Sequence, residues 1–316
     1  MIEEQFSGES TFVVTSCTAR KRAASVAVEL PDLACFTSVR ALAAEWSRRT
    51  REARNSVEAR DLYVGRAFRD ARMAAESAHA KMYVVSAGCG LVEASDRLPN
   101  YNLTVSEGAG SIRRHLAACG ATPCSWWREI SEERGPPSPL AALVMRPDVR
   151  NVLVAMPSSY LQMVAEDLGS VPVSSADRLW ILTSRAGVVS LPGHLQARVL
   201  PYDDRLEHVG GHAGTASDFP QRALRHFVEV LRGHQLSFKD AITVVQTALG
   251  NPVKIEAPLR ARATDAQIQE LLRAQWKSQK GSSTKLLRFL RDDAHVACEQ
   301  GRFRDIWRSL KAQEPA

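Results

Sequence analysis

Short apolar segments alternate along this chain with longer segments whose apolar residues recur at helical spacing. The apolar segments are Thr11–Thr15, Met82–Ser86, Asn151–Ala155 and Arg178–Leu182, and Ala197–Leu200 is a shorter candidate. Runs of this length with flanking small residues are typical of buried strands. Strands that alternate with helices build a mostly parallel sheet covered by helices on both faces. The pattern therefore predicts an α/β fold, a three-layer sandwich with a mostly parallel sheet of four to five strands.

Apolar residues three and four positions apart predict the helices between these strands. The predicted helices cover 39–51, 64–78, 106–119, a segment that begins at Thr122-Pro123, 217–232 and 237–249. We expect one α/β domain over residues 1–252, because the pattern changes after Asn251-Pro252.

Residues 262–316 read as a small all-α module of three helices. Thr264-Asp265 caps the first helix, and Lys280-Gly281-Ser282-Ser283 forms a turn before the second. The second helix turns Lys285 and Arg288 outward, and a basic helix after a glycine turn is similar to a helix-turn-helix module. The alternative is a structural helical cap with a solvated basic face.

The charge distribution favours a polyanionic partner. The 316 residues carry a net charge of +6, and basic residues outnumber acidic ones 11 to 7 over 261–316 and 9 to 5 over 20–60. DNA is the partner we expect on this basis, and no protein partner is inferred. No apolar run approaches the roughly 18 residues of a membrane span, so we expect no membrane partner.

The cysteine pattern gives expectations about the cellular compartment of the protein and about bound metals or cofactors. The chain has six, without a C-x-x-C pair or a histidine at zinc spacing. We expect reduced thiols in a cytoplasmic protein, with no metal and no cofactor. The chain also lacks the G-x-S-x-G and G-x-G-x-x-G motifs, which weakens esterase and dehydrogenase interpretations.

A nucleobase pocket is predicted at the end of the second strand. Ser86 and Gly88 lie in a small-residue turn, and the loop that follows carries Tyr101 and Asn102. A tyrosine ring stacks on a flat base, and an asparagine amide donates and accepts hydrogen bonds at a base edge. These four residues are the predicted base-binding set, with the 88–100 segment expected to form an open loop.

A phosphate site is predicted at the end of the first strand. Ser16 and Cys17 leave the strand there, and Arg20 and Lys21 add positive charge. Arg60 lies in the connection that returns to the same edge of the sheet. The alternative is an ordinary strand exit with a basic surface cluster.

Three carboxylates are candidates for catalysis. Asp203 and Asp204 follow the last predicted strand, and Glu58 precedes the second predicted helix. A carboxylate at a strand end can activate water or stabilise a cationic sugar. The Asp-Asp pair is equally typical of a surface turn. His212, in a glycine-rich segment, is a candidate contact for a phosphate or a leaving base.

Four sequence segments resemble a bacterial family of domains of unknown function. They are Thr15–Thr18, Ala59–Tyr63 with Phe68, Val85–Leu91 and Tyr101–Thr104. That family is similar to the uracil-DNA-glycosylase-like fold and to the domain that accompanies archaeal tRNA-guanine transglycosylases. The resemblance covers residues 11–105 well and 150–230 loosely, and the segment after Pro252 lies outside it. The chain lacks the G-x-D-P-Y-H and H-P-S-P motifs of uracil-DNA glycosylases.

The resemblance implies a four-stranded parallel sheet with a base pocket at the strand ends. Its implied activity is that of an antiphage DNA glycosylase, which removes glucosylated 5-hydroxymethylcytosine from phage DNA and leaves abasic sites. Asn102 would then recognise the base, Tyr101 would stack on it, and Asp203, Asp204 or Glu58 would supply the carboxylate. Contacts to phosphate or glucose would come from Ser16, Arg20, Lys21, Arg60 and His212. Without an evident Schiff-base lysine at the pocket, we expect no strand cleavage.

Two other functions remain open from the sequence. One is a DNA-binding regulator whose α/β domain senses a nucleoside or nucleotide. The other is a hydrolase or transferase that acts on free nucleosides, against which the basic C-terminal segment argues mildly.

Overall fold

The computed structural model describes residues 10–22, 26–31, 36–108, 110–250, 261–279 and 281–313. The chain divides into two compact units, unit 1 over residues 1–253 and unit 2 over residues 254–316. The domain boundary predicted at residue 252 falls in 251–260, outside the described residues. Within the described ranges, no helix has both the length and the apolar character needed to cross a membrane.

A five-stranded sheet forms the centre of unit 1. Its order is β5-β4-β1-β8-β9, with parallel pairing throughout except for the antiparallel β4-β5 hairpin. The predicted mixed α/β class with a mostly parallel sheet is confirmed. The described strands of unit 1 are β1 (Ser10–Ser16), β2 (Val28–Glu29), β3 (Ser56–Glu58), β4 (Lys81–Ser86), β5 (Gly90–Glu93), β6 (Arg97–Pro99), β7 (Tyr101–Asn102), β8 (Val149–Ala155) and β9 (Leu179–Leu182).

Strand β1 is the middle strand because both of its faces are apolar. Phe12, Val13 and Val14 are all fully buried, as expected for a parallel strand covered on both sides. Its last residue, Ser16, stands beside Val85 of β4. The carboxyl ends of β1 and β4 therefore lie side by side.

The fifth strand is not where the sequence placed it. Ala197–Leu200 forms no strand, only a bridge between Val199 and Ile181. The fifth strand is β5, within the 88–100 segment that was predicted to be an open loop, so that prediction is wrong. Strand β5 has only four residues, which alternate between buried and half-buried positions. An alternation this short does not identify a strand from the sequence.

Helices connect the strands of unit 1. The described α-helices are α1 (Val39–Glu52), α2 (Ala59–Leu62), α3 (Arg66–Ser77), α4 (Arg113–Ala118), α5 (Pro123–Glu132), α6 (Pro139–Val144), α7 (Ser158–Met163), α8 (Ala165–Gly169), α9 (Arg185–Val189), α10 (Gly193–Gln196), α11 (Phe219–Arg225) and α12 (Phe238–Gly250). Single turns of 3-10 or π-helix cover Val173–Arg178, Asp204–His208, His226–Val230 and Gly233–Gln235.

The helix predicted to open at Ser106 begins seven residues later, at Arg113. Gly108 and Gly110 both have positive φ, of 117° and 75°, which a right-handed helix does not allow. The Thr104 N–H instead donates to the Gly110 carbonyl and closes a loop.

Unit 2 contains the three predicted helices and a small parallel strand pair. Strands β10 (Ala261–Arg262) and β11 (Val296–Ala297) pair with each other, so the module is not all-α. The helices are α13 (Asp265–Trp276), α14 (Ser283–Arg288), which continues as a π-turn over Phe289–Asp293, and α15 (Gln300–Gln313). Thr264 caps α13, as predicted. Lys280 of the predicted turn lies outside the described residues. The core comprises Ile268, Leu272, Trp276, Leu286, Leu290, Val296, Cys298, Phe303, Ile306 and Leu310.

Candidate functional site

The turn after β4 is buried and fixed by two tryptophans. The Trp126 indole donates to the Ala87 carbonyl and the Trp46 indole donates to the Gly88 carbonyl, both at 2.7 Å. A Cβ at Gly88 would lie 2.8 Å from the Tyr101 ring, so this position requires glycine. The turn closes the β4-β5 hairpin and holds the end of β4 rigidly.

Three buried hydroxyls form a hydrogen-bonded chain beside this turn, which we call the hydroxyl network. The Tyr101 hydroxyl is 2.7 Å from both the Tyr63 hydroxyl and Ser86 Oγ. Ser86 Oγ in turn accepts from the Cys89 backbone N–H at 2.8 Å. Burial raises the pKa of both tyrosines well above the usual value, which keeps the phenols neutral.

A thiol–phenol contact lies at the end of β1. Cys17 Sγ is 3.0 Å from the Tyr160 hydroxyl, and both side chains are buried. The Cys17 backbone N–H donates to the Val85 carbonyl, which ties this position to β4. Burial and the neighbouring Cys17 raise the pKa of Tyr160.

Lys21 connects the end of β1 to the hydroxyl network. It forms an antiparallel bridge with Tyr63, and its Nζ lies 4.1 Å from the centre of the Tyr101 ring. Burial lowers the pKa of this amine, whose Nζ donates to the Thr18 carbonyl at 3.2 Å. Side chains alternate along an extended segment, so the neighbours Arg20 and Arg22 project to the opposite side, where both are exposed.

Arg20 and Arg22 enter a cleft of about 390 Å³ that we call the arginine cleft. Arg20, Arg22 and Arg69 have no hydrogen-bonding or ionic partner for their side chains among the described residues. Six of the lining residues are arginines, and Asp61 is the one carboxylate among the described residues that line it. The lining residues are Arg20, Arg22, Arg60, Asp61, Tyr63, Val64, Gly65, Arg66, Phe68, Arg69 and Arg72.

The first turn of α3 forms one wall of the arginine cleft. Gly65 precedes the helix with a φ of 118°, a conformation that favours glycine, and no side chain caps the helix. The backbone N–H groups of the first turn have no partner within the helix. Arg66, Arg69 and Arg72 recur every three residues and so share a face of α3. Fixed N–H dipoles and mobile guanidinium groups together favour a phosphate-bearing ligand.

The predicted base-binding residues divide between two environments. Tyr101, Ser86 and Gly88 belong to the buried cluster around the hydroxyl network. The Tyr101 ring is 1% exposed, so it has no open face for stacking on a base. Asn102 points away from the network, and its Nδ2 donates to both carboxylate oxygens of Glu29, at 3.0 and 3.3 Å.

The predicted carboxylates are engaged in local ion pairs or lie apart. Asp203 accepts hydrogen bonds from the Arg205 guanidinium at 2.7–3.1 Å and caps the short helix that follows, and the same contact lowers its pKa. Asp204 is exposed. Glu58 is paired with Arg60, next to the arginine cleft. No described hydrogen bond or ion pair joins Asp203 or Asp204 to the cleft or to the hydroxyl network.

His212 lies in a different buried network, centred on Arg222. The fully buried Arg222 guanidinium donates to Asp218 at 2.7 Å, to Glu207 at 2.6 Å and to the His212 carbonyl. The His212 ring packs against His226, with ring centres 5.0 Å apart. Burial lowers the pKa of both histidines, that of His226 to about 4. This network fastens the loop that follows the sheet, and His212 does not line the arginine cleft.

The remaining predicted contacts are distributed as follows. Ser16 is 6% exposed and ends β1, and Cys17 is buried against Tyr160. Of the predicted phosphate contacts, Arg20 and Arg60 line the arginine cleft together. Lys285 and Arg288 are exposed on α14 of unit 2. Of the described residues, no three His, Cys, Asp or Glu side chains gather where they would hold a metal ion.

Five charged residues of the cleft were not among the predicted site residues: Asp61, Arg22, Arg66, Arg69 and Arg72. Two signals were available for the arginines. Arg20 and Arg22 flank Lys21 at strand spacing, and the other three recur at helical spacing. Asp61 lies within the four-residue helix α2.

Comparison with known proteins adds one finding. Residues 47–120 match a family of unknown function, DUF6884. That segment includes Tyr63, the arginines of α3, Ser86 and Tyr101, whereas Cys17 and Lys21 lie before it. No curated protein and no solved structure matches the chain.

Proposed function

We propose that unit 1 is a DNA glycosylase that excises a modified base and leaves an abasic site. The observation that carries this proposal is the arginine cleft beside the carboxyl ends of β1 and β4. Ligands of parallel α/β sheets bind at that edge. Glucosylated 5-hydroxymethylcytosine in bacteriophage DNA is the substrate that the sequence resemblance implies, and antiviral defence is the corresponding role.

The cleft supports binding of a phosphodiester chain. The exposed Arg20, Arg22 and Arg69 of this cleft lack carboxylate partners among the described residues, and guanidinium groups bind phosphate oxygens in pairs of hydrogen bonds. Tyr63 lines the cleft while its hydroxyl belongs to the hydroxyl network, so the cleft wall is anchored to a buried, satisfied set of hydrogen bonds. The four parallel strands agree in number with the sheet of the uracil-DNA-glycosylase-like fold. A three-layer arrangement of that kind is part of the proposal.

The reaction needs a carboxylate near the sugar. Water attacks C1′ of the nucleotide, the N-glycosidic bond breaks, and the base departs with the bonding electrons and takes up a proton. A carboxylate accelerates this reaction because it takes the proton of the attacking water or stabilises the cationic sugar. We assign this role to Asp61, since it lines the cleft, in preference to Asp203, whose oxygens are held by Arg205.

Base release tests the activity directly. The full-length protein is incubated with unmodified, hydroxymethylated and glucosyl-hydroxymethylated DNA, and the released bases are identified by mass spectrometry. We expect a free modified base and alkali-labile abasic sites. Asp61→Asn should lower the release rate about 10²- to 10⁴-fold at unchanged DNA affinity. Asp203→Asn, the matched control, should leave the rate unchanged.

A second pair of variants tests the cleft. Arg20→Gln/Arg69→Gln removes two charges from the lining, and Arg114→Gln/Arg185→Gln removes two exposed charges elsewhere in unit 1. The first pair should lower the slope of log affinity against log salt concentration by about 1.8 for duplex DNA, and the second pair should lower it much less.

The base-release experiment has two contrary outcomes. Loss of base release in Asp203→Asn but not in Asp61→Asn would move the catalytic role to Asp203. Tight DNA binding without release from any substrate would replace the glycosylase by a DNA-binding regulator.

A further inference from the structure

Unit 2 has a cleft of its own, between α14 and α15, with a volume of about 680 Å³. This volume is within the range of about 300–1,000 Å³ that is typical of ligand pockets. We call it the unit 2 cleft. Its lining residues are Ser283, Thr284, Leu287, Arg288, Arg291, Asp292, Gly301, Phe303, Arg304, Trp307 and Arg308.

The rim of the unit 2 cleft is positively charged. Four arginines line it against the single carboxylate of Asp292 among the described residues. Arg288 and Arg308 come from different helices and are exposed, and neither has an ion-pair or hydrogen-bond partner in the part of the chain that the structure describes. Two such guanidinium groups on opposite walls are available to an anionic ligand.

An aromatic ring is fixed in the wall of the unit 2 cleft. Trp307 is half-buried, and its indole N–H donates to the Gly281 carbonyl at 2.9 Å. A Cβ at Gly281 would meet the Trp276 ring at 3.3 Å, so the turn that holds Trp307 is itself closely packed. Leu287 lines the same cleft and is also half-buried, which leaves apolar surface inside a basic rim.

We propose that the unit 2 cleft binds single-stranded nucleic acid. Arginines that bind phosphates, together with an aromatic ring that stacks on a base, are the features that single-strand binding requires. In a duplex the bases are stacked inside and do not reach an indole in the wall of a cleft. An acidic peptide would engage the arginines and leave the indole without a role. Binding here is separate from the activity proposed for unit 1.

The test uses the full chain and a short fluorescein-labelled oligothymidylate, with affinity measured by fluorescence anisotropy over a range of salt concentrations. Arg288→Gln/Arg308→Gln is compared with Arg262→Gln/Lys277→Gln. Both double variants lose two positive charges from exposed positions of unit 2, but only the first pair lines the cleft. Unit 1 is the same in both, so the difference reports on unit 2.

We expect the first pair to lower the salt slope by about 1.4, and the second pair to leave it nearly unchanged. Trp307→Leu should weaken binding about 5- to 100-fold and leave the salt slope intact, since stacking carries no charge. Equal losses in the two double variants would overturn the proposal in favour of general electrostatic attraction. The proposal would also be overturned if the wild type bound duplex DNA or poly-glutamate more tightly than the oligothymidylate and Arg288→Gln/Arg308→Gln lost that binding. The partner would then be duplex DNA or an acidic peptide.

Discussion

The two units each carry an arginine-lined cleft, but the clefts differ in what lies behind them. Behind the arginine cleft of unit 1 are buried polar groups, and Tyr63 belongs to both the cleft wall and the hydroxyl network. Behind the unit 2 cleft is an apolar core, from which Phe303 reaches the lining. The first cleft is therefore attached to a rigid polar framework and the second to a hydrophobic one.

Ligand binding and catalysis make different demands on the structure behind a cleft. A positive cleft with an aromatic ring is sufficient to hold a polyanion, and its walls can adjust to the ligand. A catalytic group must keep its position to within a fraction of an ångström, which requires surrounding side chains whose own hydrogen bonds are satisfied. The activity proposed for unit 1 would draw on the satisfied hydrogen bonds of the tryptophan-held turn and the hydroxyl network.

The largest expected effect is at the turn after β4. Trp126→Ala removes a fully buried ring and the hydrogen bond to the Ala87 carbonyl. We expect unit 1 to lose about 3–5 kcal/mol of unfolding free energy. Hydrogen exchange with mass spectrometry measures this unit by unit, and unit 2 should be unchanged. Trp126→Phe keeps most of the ring volume and should cost less; an equal cost for the two variants would contradict a packing role.

The next largest effect is a pH dependence confined to unit 1. Burial lowers the pKa of His226 from 6.5 to about 4, so the unfolded chain takes up a proton in this range that the folded chain does not. The contribution of neutral His226 to the unfolding free energy is therefore fully present above pH 6.5. It decreases as the pH falls towards 4, by about 3 kcal/mol in total.

His226→Asn isolates this contribution. Between pH 6.5 and 4, the variant should show a dependence of unfolding free energy on pH that is weaker by about 1.4 kcal/mol per pH unit, since it lacks the titrating group. Urea unfolding at a series of pH values measures the slope. Parallel loss of stability in wild type and variant would assign the acid sensitivity to other groups, the neighbouring His212 first.

A smaller effect is expected within the hydroxyl network. Tyr101→Phe removes the hydroxyl that joins Tyr63 to Ser86 and leaves the buried Tyr63 hydroxyl without its partner. We expect a loss of about 1–3 kcal/mol, and partial recovery in Tyr63→Phe/Tyr101→Phe, where the unpaired Tyr63 hydroxyl is also removed. Tyr83→Phe is the matched control, because its hydroxyl contacts Arg146 in a half-buried position. Equal costs for Tyr101→Phe and Tyr83→Phe would contradict the importance of the network.

The sequence predicted the sheet because the signal was local. Four of its strands were visible as short apolar runs, and burial on both faces makes such runs continuous. The fifth strand, β5, was missed because Gly90 and three further residues carry too little pattern to distinguish a strand from a loop. The helix expected from Ser106 failed for a related reason, since two glycines with positive φ set the local backbone.

The candidate site was harder to predict because it depends on pairings distant in sequence. The bridge between Lys21 and Tyr63 sets the direction of Arg20 and Arg22, and nothing local to residues 20–22 indicates it. Tyr101 was expected to be open to a base, but the packing of its ring against Gly88 buries it. Asp203 was expected to be available, whereas Arg205, two residues away, holds both of its oxygens.

The smallest expected effect is the change in unfolding free energy when arginines of the two clefts are replaced. Arg20→Gln/Arg69→Gln in unit 1 and Arg288→Gln/Arg308→Gln in unit 2 each remove exposed guanidinium groups that have no partner among the described residues. Each pair should change the unfolding free energy by less than about 0.5 kcal/mol, with a slight gain at low salt because like charges are removed. Urea unfolding at two salt concentrations measures this. A loss of several kcal/mol in either pair would mean that the arginines support the fold, and the cleft concerned would then have a structural explanation in place of a ligand.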